Sequence, residues 1–179
     1  MGTTGFVLET ERLRLRKLSL GDLDFIGEML AHPEVMRYYP KCHSRAESAE
    51  WIERQLARYE RDGLGLWLAL ERETQQPVGQ IGLTVQQVEG SPEREVGWLL
   101  HRPFWKHGFA TEAAIACRDH AFAELGLDYL ISLIRPVNTP SQAVARRIGG
   151  VAGRRVEHGG FEHIVFETRP EALPRGKTR

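Results

Sequence analysis

The sequence predicts a mixed α/β domain in which a central mixed β-sheet carries helices on both faces. Segments that alternate polar and apolar residues indicate strands, and segments with apolar residues at helical spacing indicate helices. In chain order they read β-α-α-β-β-β-α-β-α-β-β, without an internal repeat or linker. The 179 residues suffice to bury about 70% of the unfolded surface. We therefore expect residues 1–179 to form one domain, with its core over residues 6–168 and a disordered polar tail over residues 170–179.

Composition excludes several classes of partner. Lys plus Arg and Asp plus Glu both number 24, so the net charge is zero, which argues against nucleic acid as a partner. No secretory segment and no apolar run of about 18 residues occurs, so we expect a soluble, cytoplasmic protein without a membrane partner. The seven histidines show no H-E-x-x-H and no paired ligand spacing, so no metal is predicted. Sequence leaves a monomer and a homodimer equally open.

The first half of the chain predicts one strand and two helices. Residues 6–17 interleave leucines with charged residues, and residues 13–16 alternate strictly in polarity, which is typical of a strand with one wet face. Residues 19–22 resemble a capping box with Asp in place of Glu, and Pro33 ends the helix that follows. Residues 44–47 (Ser-Arg-Ala-Glu) form a full capping box, and its helix stops at Gly63.

The segment between these two helices, residues 35–43, has two interpretations. Its aromatic residues Tyr38 and Tyr39, together with His43, could line the mouth of a substrate site. They could equally pack this loop onto the core. Both interpretations stay open from sequence alone.

The second half predicts an antiparallel meander followed by alternating elements. Strands over residues 64–71, 77–88 and 94–101 are joined by short turns, the second at residues 89–92. Further on, residues 127–134 form an apolar run that is typical of a buried strand. The later elements are a helix over residues 141–148 with cap residues at 138–141, and a hairpin of residues 151–157 and 161–168.

The helix between those parts begins in an unusual stretch, residues 105–112 (Trp-Lys-His-Gly-Phe-Ala-Thr-Glu). An apolar stripe follows it, consisting of Ala110, Ala113, Ala114, Cys117, Ala121 and Leu125. A helix start leaves about four backbone N–H groups unpaired at the positive end of the helix dipole, and small residues let phosphates approach them. The stretch is neither a P-loop nor a G-x-G-x-x-G fingerprint. It therefore indicates a pyrophosphate site, or a plain strand-to-helix junction.

Four ordered motifs resemble the GNAT N-acetyltransferase superfamily, and most closely its RimJ/RimL branch. They are residues 8–16 (Leu-Glu-Thr-Glu-Arg-Leu-Arg-Leu-Arg), 32–38 (His-Pro-Glu-Val-Met-Arg-Tyr), 105–113, and 138–141 (Asn-Thr-Pro-Ser) followed by Ile148-Gly149. The likeness spans nearly residues 6–168. Two positions depart from the family pattern. Lys106 replaces a usual glycine of the phosphate loop, and Gly150 stands where the family has Phe, so that a packing contact is lost.

The resemblance implies acetyl-CoA as the acetyl donor and a sheet that splays between the fourth and fifth predicted strands. The pantetheine arm would lie along the fourth strand, where Gly97 suits a bulge, and the pyrophosphate would bind at the helix start. The implied cofactor-binding residues are Trp98, Leu99, Leu100, Trp105, Lys106, His107, Gly108, Phe109, Ala110, Thr111, Asn138 and Ser141. Tyr38, Tyr39, His43 and Glu93 are the candidate substrate contacts.

Acetyl transfer needs a neutral amine, so we expect a residue that could accept the proton of the amine and one that could assist the departing thiolate. An α-amine with a pKa near ~8 is partly neutral at pH 7, whereas a lysine amine near ~10.4 needs a shift of roughly 3 units. Glu95, or second to it Glu93, could take the proton directly or through water, unless these residues only form a solvated strand face. Ser141 could protonate or hydrogen-bond the departing thiolate, or simply cap a helix.

These considerations predict an N-acetyltransferase that moves the acetyl group directly to a primary amine, with a protein N-terminal α-amine as one candidate. A small-molecule amine (an amino acid, a polyamine or an antibiotic) is the alternative acceptor. A CoA-binding module without turnover is the alternative from another class. No G-x-S-x-G nucleophile elbow is present, and direct transfer needs none.

Overall fold

An eight-stranded mixed sheet forms the centre of the molecule in the computed structural model, which describes residues 5–170. The strands are β1 (Leu8–Glu9), β2 (Leu13–Lys17), β3 (Gly65–Glu71), β4 (Pro77–Val88), β5 (Ser91–Leu100), β6 (Leu130–Ile134), β7 (Val151–His158) and β8 (Phe161–Thr168). The helices are α1 (Leu23–Ala31), α2 (Arg45–Asp62), α3 (Phe109–Ala123) and α4 (Thr139–Arg147). The spatial order is β1-β2-β3-β4-β5-β6-β8-β7. The predicted mixed α/β class is confirmed, whereas the predicted tail lies, from residue 171 on, outside the described residues.

Apolar cores cover both faces of the sheet. On one face α3 packs through Ala113, Ala114, Cys117 and Ala121, all fully buried, against residues such as Trp67. On the other face α1 and α2 bury Ile26, Leu30 and Ile52 against Leu68. The predicted stripe of α3 was too long at its end, because the helix stops at Ala123 and Leu125 is 41% exposed. Within residues 5–170 no helix is both long and apolar enough to cross a membrane.

The start of the chain forms two short strands where one was predicted over residues 6–17. The strands β1 and β2 pair antiparallel around a tight turn at residues 10–12. The backbone N–H of Thr10 donates to the Leu13 carbonyl at 2.8 Å, and the hydroxyl oxygen of Thr10 accepts from the Leu13 amide at 2.9 Å, so that these two bonds close the turn. As a result the side chains of Thr10 and Arg12 reach the first turn of α3.

Helix caps follow the sequence closely. Ser44 Oγ accepts from the Glu47 amide at 3.2 Å and Glu47 accepts from the Ser44 amide at 2.8 Å, so the predicted capping box of α2 is confirmed. Gly63 ends α2 with a φ of 67°. For α4 the cap is Asn138, whose side-chain oxygen accepts from the Ser141 amide at 3.2 Å. Ser141 therefore lies inside the helix and is not its cap.

Two local predictions are wrong for geometric reasons. The turn before β5 contains only Glu89 and Gly90, both with positive φ, so β5 begins at Ser91 and not at residue 94. Gly97 carries no bulge, because β4 and β5 stay in register from one end to the other and Gly97 pairs with Gly82.

Gly150 tolerates no side chain. A Cβ there would lie 2.7 Å from the Ala145 carbonyl oxygen, because the Gly150 amide bonds to that same oxygen at 2.8 Å. The chain leaves α4 too close to the helix for the family's Phe to fit in this backbone.

The splay predicted between the fourth and fifth strands lies between β5 and β6. These two strands run parallel and pair only at Glu95 and Ile131. Beyond this pair they diverge, and we call that point the fork. Side chains replace the backbone ladder there: Ser132 Oγ donates to the Val96 carbonyl at 2.9 Å, and the Leu133 amide donates to Glu95 Oε1 at 3.2 Å.

Candidate active site

The far half of β5 has an open edge. From Gly97 to Leu100 it stays bonded to β4, but within residues 5–170 no backbone pair joins this part to β6. An unpaired strand edge presents N–H and C=O groups that an extended amide-containing chain can bond. One of these groups is already used, because the Leu100 carbonyl accepts from Trp105 Nε1 at 2.9 Å. The predicted cofactor strand, Trp98 to Leu100, thus borders the gap between β5 and β6.

The start of α3 lies beyond the end of this edge. Lys106, His107 and Gly108 are exposed, and Phe109 begins the helix. Gly108 has a φ of 82°, and a Cβ there would have only Arg12 Nη2 nearby, at 3.4 Å, with open space otherwise. Backbone amides without intrahelical partners, an open approach and a glycine fit a pyrophosphate. Trp105, a predicted cofactor contact, has a structural role instead, since its ring packs between the two apolar cores.

Lys106 adopts an unfavourable backbone conformation. Its φ is 65°, in the left-handed region that favours glycine, so the glycine usual at this position has a structural reason. The lysine keeps the loop geometry at an energetic cost and adds an exposed ammonium beside the helix start.

A polar network around Glu112 holds this loop, and the sequence reading missed it. Glu112 accepts from Thr10 Oγ1 at 2.6 Å, from the Arg12 amide at 2.9 Å and from Arg12 Nε at 2.7 Å. Arg12 Nη1 in turn donates to the His107 carbonyl at 3.0 Å, and the guanidinium lies 4.7 Å from the Phe109 ring centre. Burial works against the ionised form of Glu112, but the bonds from Thr10 and Arg12 outweigh it and lower the pKa of this carboxyl. The signal was the Thr-Glu-Arg sequence at residues 10–12, which was read as strand.

Glu95 lies at the fork, on the sheet face that α2 covers. Its Oε2 accepts from Gln86 Nε2 at 2.7 Å and from Thr84 Oγ1 at 3.2 Å, while the one donor to Oε1 among the described residues 5–170 is the Leu133 amide. Because a carboxylate oxygen can accept two hydrogen bonds, Oε1 keeps one lone pair for a substrate or a water molecule.

Tyr39 projects toward this carboxylate from the α1–α2 loop. The residue is partly buried, with 38% of its surface exposed, and its phenol is close enough to Glu95 to interact with it electrostatically. Burial, and after it the negative charge of Glu95, raise the pKa of Tyr39 to about 12. The phenol therefore stays neutral and can act as a hydrogen-bond donor at this site.

Three basic residues lie in this region, two of them near Glu95 and the third near His163, and none was predicted from the sequence. Arg58 is on α2, Arg135 follows β6 and His163 is on β8. Arg58 and His163 are close enough to interact electrostatically with Glu95, and burial lowers the pKa of both. Arg135 Nη1 donates to the Tyr38 carbonyl at 3.1 Å, and its guanidinium lies 4.1 Å from the Phe161 ring centre.

The remaining predicted residues divide between the site and the core. Ser141 Oγ accepts from Trp98 Nε1 at 3.3 Å, which leaves the hydroxyl proton free to donate elsewhere. Glu93 accepts from the Tyr129 hydroxyl at 2.7 Å. The ring of His43 packs edge-on against Trp51, with centroids 5.8 Å apart. In the α1–α2 loop, therefore, Tyr39 faces the site while His43 packs on the core. Among residues 5–170 no group of three His, Cys, Asp or Glu side chains could hold a metal ion.

Comparison with known proteins agrees with this geometry. The family model of the acetyltransferase (GNAT) domain matches residues 12–151. The protein YkkB of Bacillus subtilis (strain 168) is 34% identical over 163 residues, which are 90% of this chain and 95% of YkkB. The structure of an acetyltransferase from Agrobacterium tumefaciens str. C58 has a TM-score of 0.79 at 32% identity, covering 90% of this chain and 93% of that one.

A more distant structure shares the fold alone. The RimL ribosomal L7/L12 alpha-N-protein acetyltransferase, in complex with coenzyme A, has a TM-score of 0.74 at 14% identity and covers 94% of this chain and 100% of its own. The family match spans most of the sequence, and the splayed sheet and the glycine-containing helix start agree with it. The chain therefore belongs to the GNAT acetyltransferase family.

Proposed function

We propose that this protein transfers the acetyl group of acetyl-CoA directly to a primary amine. The observation that carries the proposal is the open edge of β5, which leads from the start of α3 to Glu95 at the fork. A channel with phosphate-binding amides at one end and a carboxylate at the other fits a long CoA thioester that presents its acetyl group near a base.

The residues fit CoA in two parts. The pyrophosphate would be held by the loop and first turn over residues 106–111. The pantetheine amides would bond the backbone groups of Trp98 at the open edge, since those of Leu99 face β4 and the Leu100 carbonyl already has a donor. When bound, acetyl-CoA supplies an activated acyl group with a thiolate as leaving group.

Glu95 is the residue that we assign as base. Its free lone pair on Oε1 accepts the proton that the amine nitrogen loses as the N–C bond forms, directly or through one water molecule. The C–S bond then breaks and the thiolate leaves. Ser141 can donate its hydroxyl proton in a hydrogen bond to that sulfur, because its oxygen is held by Trp98. A thiol pKa near ~8.5 makes this assistance minor.

We favour an α-amine as the acceptor. At neutral pH about a tenth of an α-amine with a pKa near ~8 is already free base, so one carboxylate suffices as base. The distantly similar RimL enzyme is an alpha-N-protein acetyltransferase, and the four motifs quoted above resemble its branch. The alternative from another class is a CoA-binding module without turnover. It would not explain why a carboxylate with a free lone pair lies at the fork.

Release of free CoA with acetyl-CoA and a panel of amines tests the proposal. Acceptor-dependent release is expected, and CoA binding without any release would support the binding module instead. Glu95→Gln should lower turnover by ~10²–10⁴ with little change in acetyl-CoA affinity. The loss should shrink as the pH rises, since more amine is then already neutral. Glu93→Gln, two residues away on the same strand face, is the matched control and should keep near-parental turnover. An equal loss in both variants would contradict the assignment of Glu95.

A further inference from the structure

The side chains around Glu95 form a cluster of net positive charge, which does not suit a cationic substrate. We call it the acceptor groove and define it by Tyr39, Arg58, Glu95, Arg135 and His163. Glu95 supplies one negative charge, whereas two guanidinium groups supply two positive charges. A substrate that carried only amines would therefore enter a groove of net positive charge.

The position of Arg58 follows from the register of the sheet. Gln55 Oε1 accepts from the Leu66 amide at 3.0 Å, which fixes that turn of α2 over the row of paired residues Leu66, Gly82 and Gly97. Since α2 runs toward the start of β3, one helical turn further brings Arg58 toward the next row whose side chains point to the same sheet face, the row of Thr84 and Glu95. This placement agrees with the electrostatic interaction between the two groups.

Within residues 5–170 Arg58 has no carboxylate partner at ion-pair distance. Its one hydrogen bond is a long contact of 3.5 Å from Nη1 to Gln55 Oε1. Gln55 is itself already used by the Leu66 amide. Arg58 is only half-buried, so water can reach its remaining N–H donors in the free protein, and a carboxylate ligand could replace that water with charge-assisted hydrogen bonds.

Arg135 and His163 complete the acceptor groove: His163 interacts electrostatically with both Glu95 and Arg135. Arg135 is fixed by the Tyr38 carbonyl and by the Phe161 ring, and neither contact neutralises its charge. His163 Nδ1 lies 2.9 Å from the Phe161 carbonyl, so Nε2 is the nitrogen left for a ligand. Arg58, Arg135 and His163 thus add positive charge or neutral polar atoms. Asp62 also interacts with Arg58, but its charge is already paired with Arg61, whose Nη2 lies 2.7 Å from Asp62 Oδ2.

We infer that the acceptor carries a carboxylate close to its reactive amine, and that Arg58 binds this carboxylate while Glu95 receives the amine. The inference rests on the proposed function and specifies its substrate. Two sources share this chemistry, a free α-amino acid and a peptide whose first residue is Asp or Glu. Polyamines and aminoglycosides, which are polycations, should be poor acceptors.

Matched pairs of acceptors test the inference with the unmodified protein. Free amino acids are compared with their C-terminal amides, and peptides that begin with Asp or Glu with those that begin with Asn or Gln. We expect the charged member of at least one pair to have a lower KM by about 10- to 100-fold, as for a charge-assisted pair with arginine. Whichever pair shows the difference identifies the source of the carboxylate.

Arg58→Gln should raise the KM of the carboxylate acceptor by a similar factor, with the KM of its neutral partner and of acetyl-CoA unchanged. Arg54→Gln, one turn earlier on α2, where Arg54 faces Glu50 at 4.0 Å, is the control and should behave as the parent. Equal use of charged and neutral acceptors, or preference for a polyamine, would overturn the inference while acetyl transfer stands. Absence of CoA release with every acceptor would overturn the proposed function as well.

Discussion

Replacing Lys106 by glycine should stabilise the free protein and at the same time weaken its binding of acetyl-CoA. Lys106 has a φ of 65° at the entrance to α3, where its ammonium is exposed beside the proposed phosphate site. The two expected effects have different causes. Measuring both therefore separates the effect of the backbone conformation on stability from the effect of the charge on affinity.

The stability change follows from the backbone. A left-handed conformation costs a residue with a side chain roughly 1–2 kcal/mol. Glycine removes this cost but adds freedom to the unfolded chain, which takes back about 0.4–1 kcal/mol. The net gain of about 0.5–1 kcal/mol corresponds, for a domain of this size, to a rise in Tm of about 1–4 °C.

The change in affinity follows from the charge. An exposed ammonium that pairs with a phosphate contributes up to about 1 kcal/mol, so Kd should rise by about 2- to 5-fold and the difference should fade at high salt. Calorimetric titration with acetyl-CoA at two salt concentrations measures this change in Kd and its dependence on salt. Lys106→Arg keeps the charge and should keep the affinity.

Glu89→Gly is the matched control for the backbone effect. Glu89 has a φ of 50° in the β4–β5 turn, so this change should raise Tm in the same way without affecting acetyl-CoA. An unchanged or lower Tm for Lys106→Gly would refute the argument from φ. An unchanged Kd at low salt would show that the ammonium does not contact the phosphates and that the backbone amide alone serves there.

Three further outcomes are expected. Gly108→Ala should lower Tm by about 1–4 °C for the same conformational reason, and its Cβ should weaken acetyl-CoA binding; retained affinity would mean that the phosphates bind elsewhere. Glu112→Gln loosens the hold of Arg12 on the loop, so the KM for acetyl-CoA should rise by about 5- to 10-fold with kcat at saturation unchanged, and a fall in kcat alone would contradict this. Chemical denaturation at pH 2–5 tests Glu47, for which the hydrogen bond from Lys41 is the largest cause of a pKa lowered to about 2 from its usual 4.5. The stabilisation is present above pH 4.5 and is lost as the pH falls toward 2, so Glu47→Gln should show a flatter dependence of stability on pH than the parent.

The sequence was most informative where structure is decided within a few neighbouring residues. The capping box at Ser44 and the left-handed glycine at position 63 depend on local hydrogen bonds, and both were predicted. The start of α3 was predicted for the same reason, since Gly108 acts through its own backbone.

The groove around Glu95 could not be predicted in this way. Arg58, Arg135 and His163 come from a helix, a loop and a strand far apart in the chain, and only strand register and helix packing bring them together. In the sequence, each of them resembles any other charged or polar surface residue. The tight turn at Thr10 was missed because the consecutive polar residues 10–12 were interpreted as part of one long strand and not as the break between two short paired strands.

The bond from the Leu133 amide to Glu95 gives this carboxylate a second role, as a spacer between two strands. In a regular parallel ladder that amide would bond a backbone carbonyl of β5 and draw the strands together. Here the side chain takes the place of the carbonyl, so Glu95, the proposed base, also helps to set the distance between β5 and β6, together with the bond from Ser132 to the Val96 carbonyl. Truncation of Glu95 to alanine would free the amide to pair with β5 and narrow the channel, whereas glutamine retains an oxygen that can hold it. A lineage that lost this carboxylate would thus tend to narrow the proposed CoA channel as it lost the proposed base, unless another acceptor for the Leu133 amide arose first.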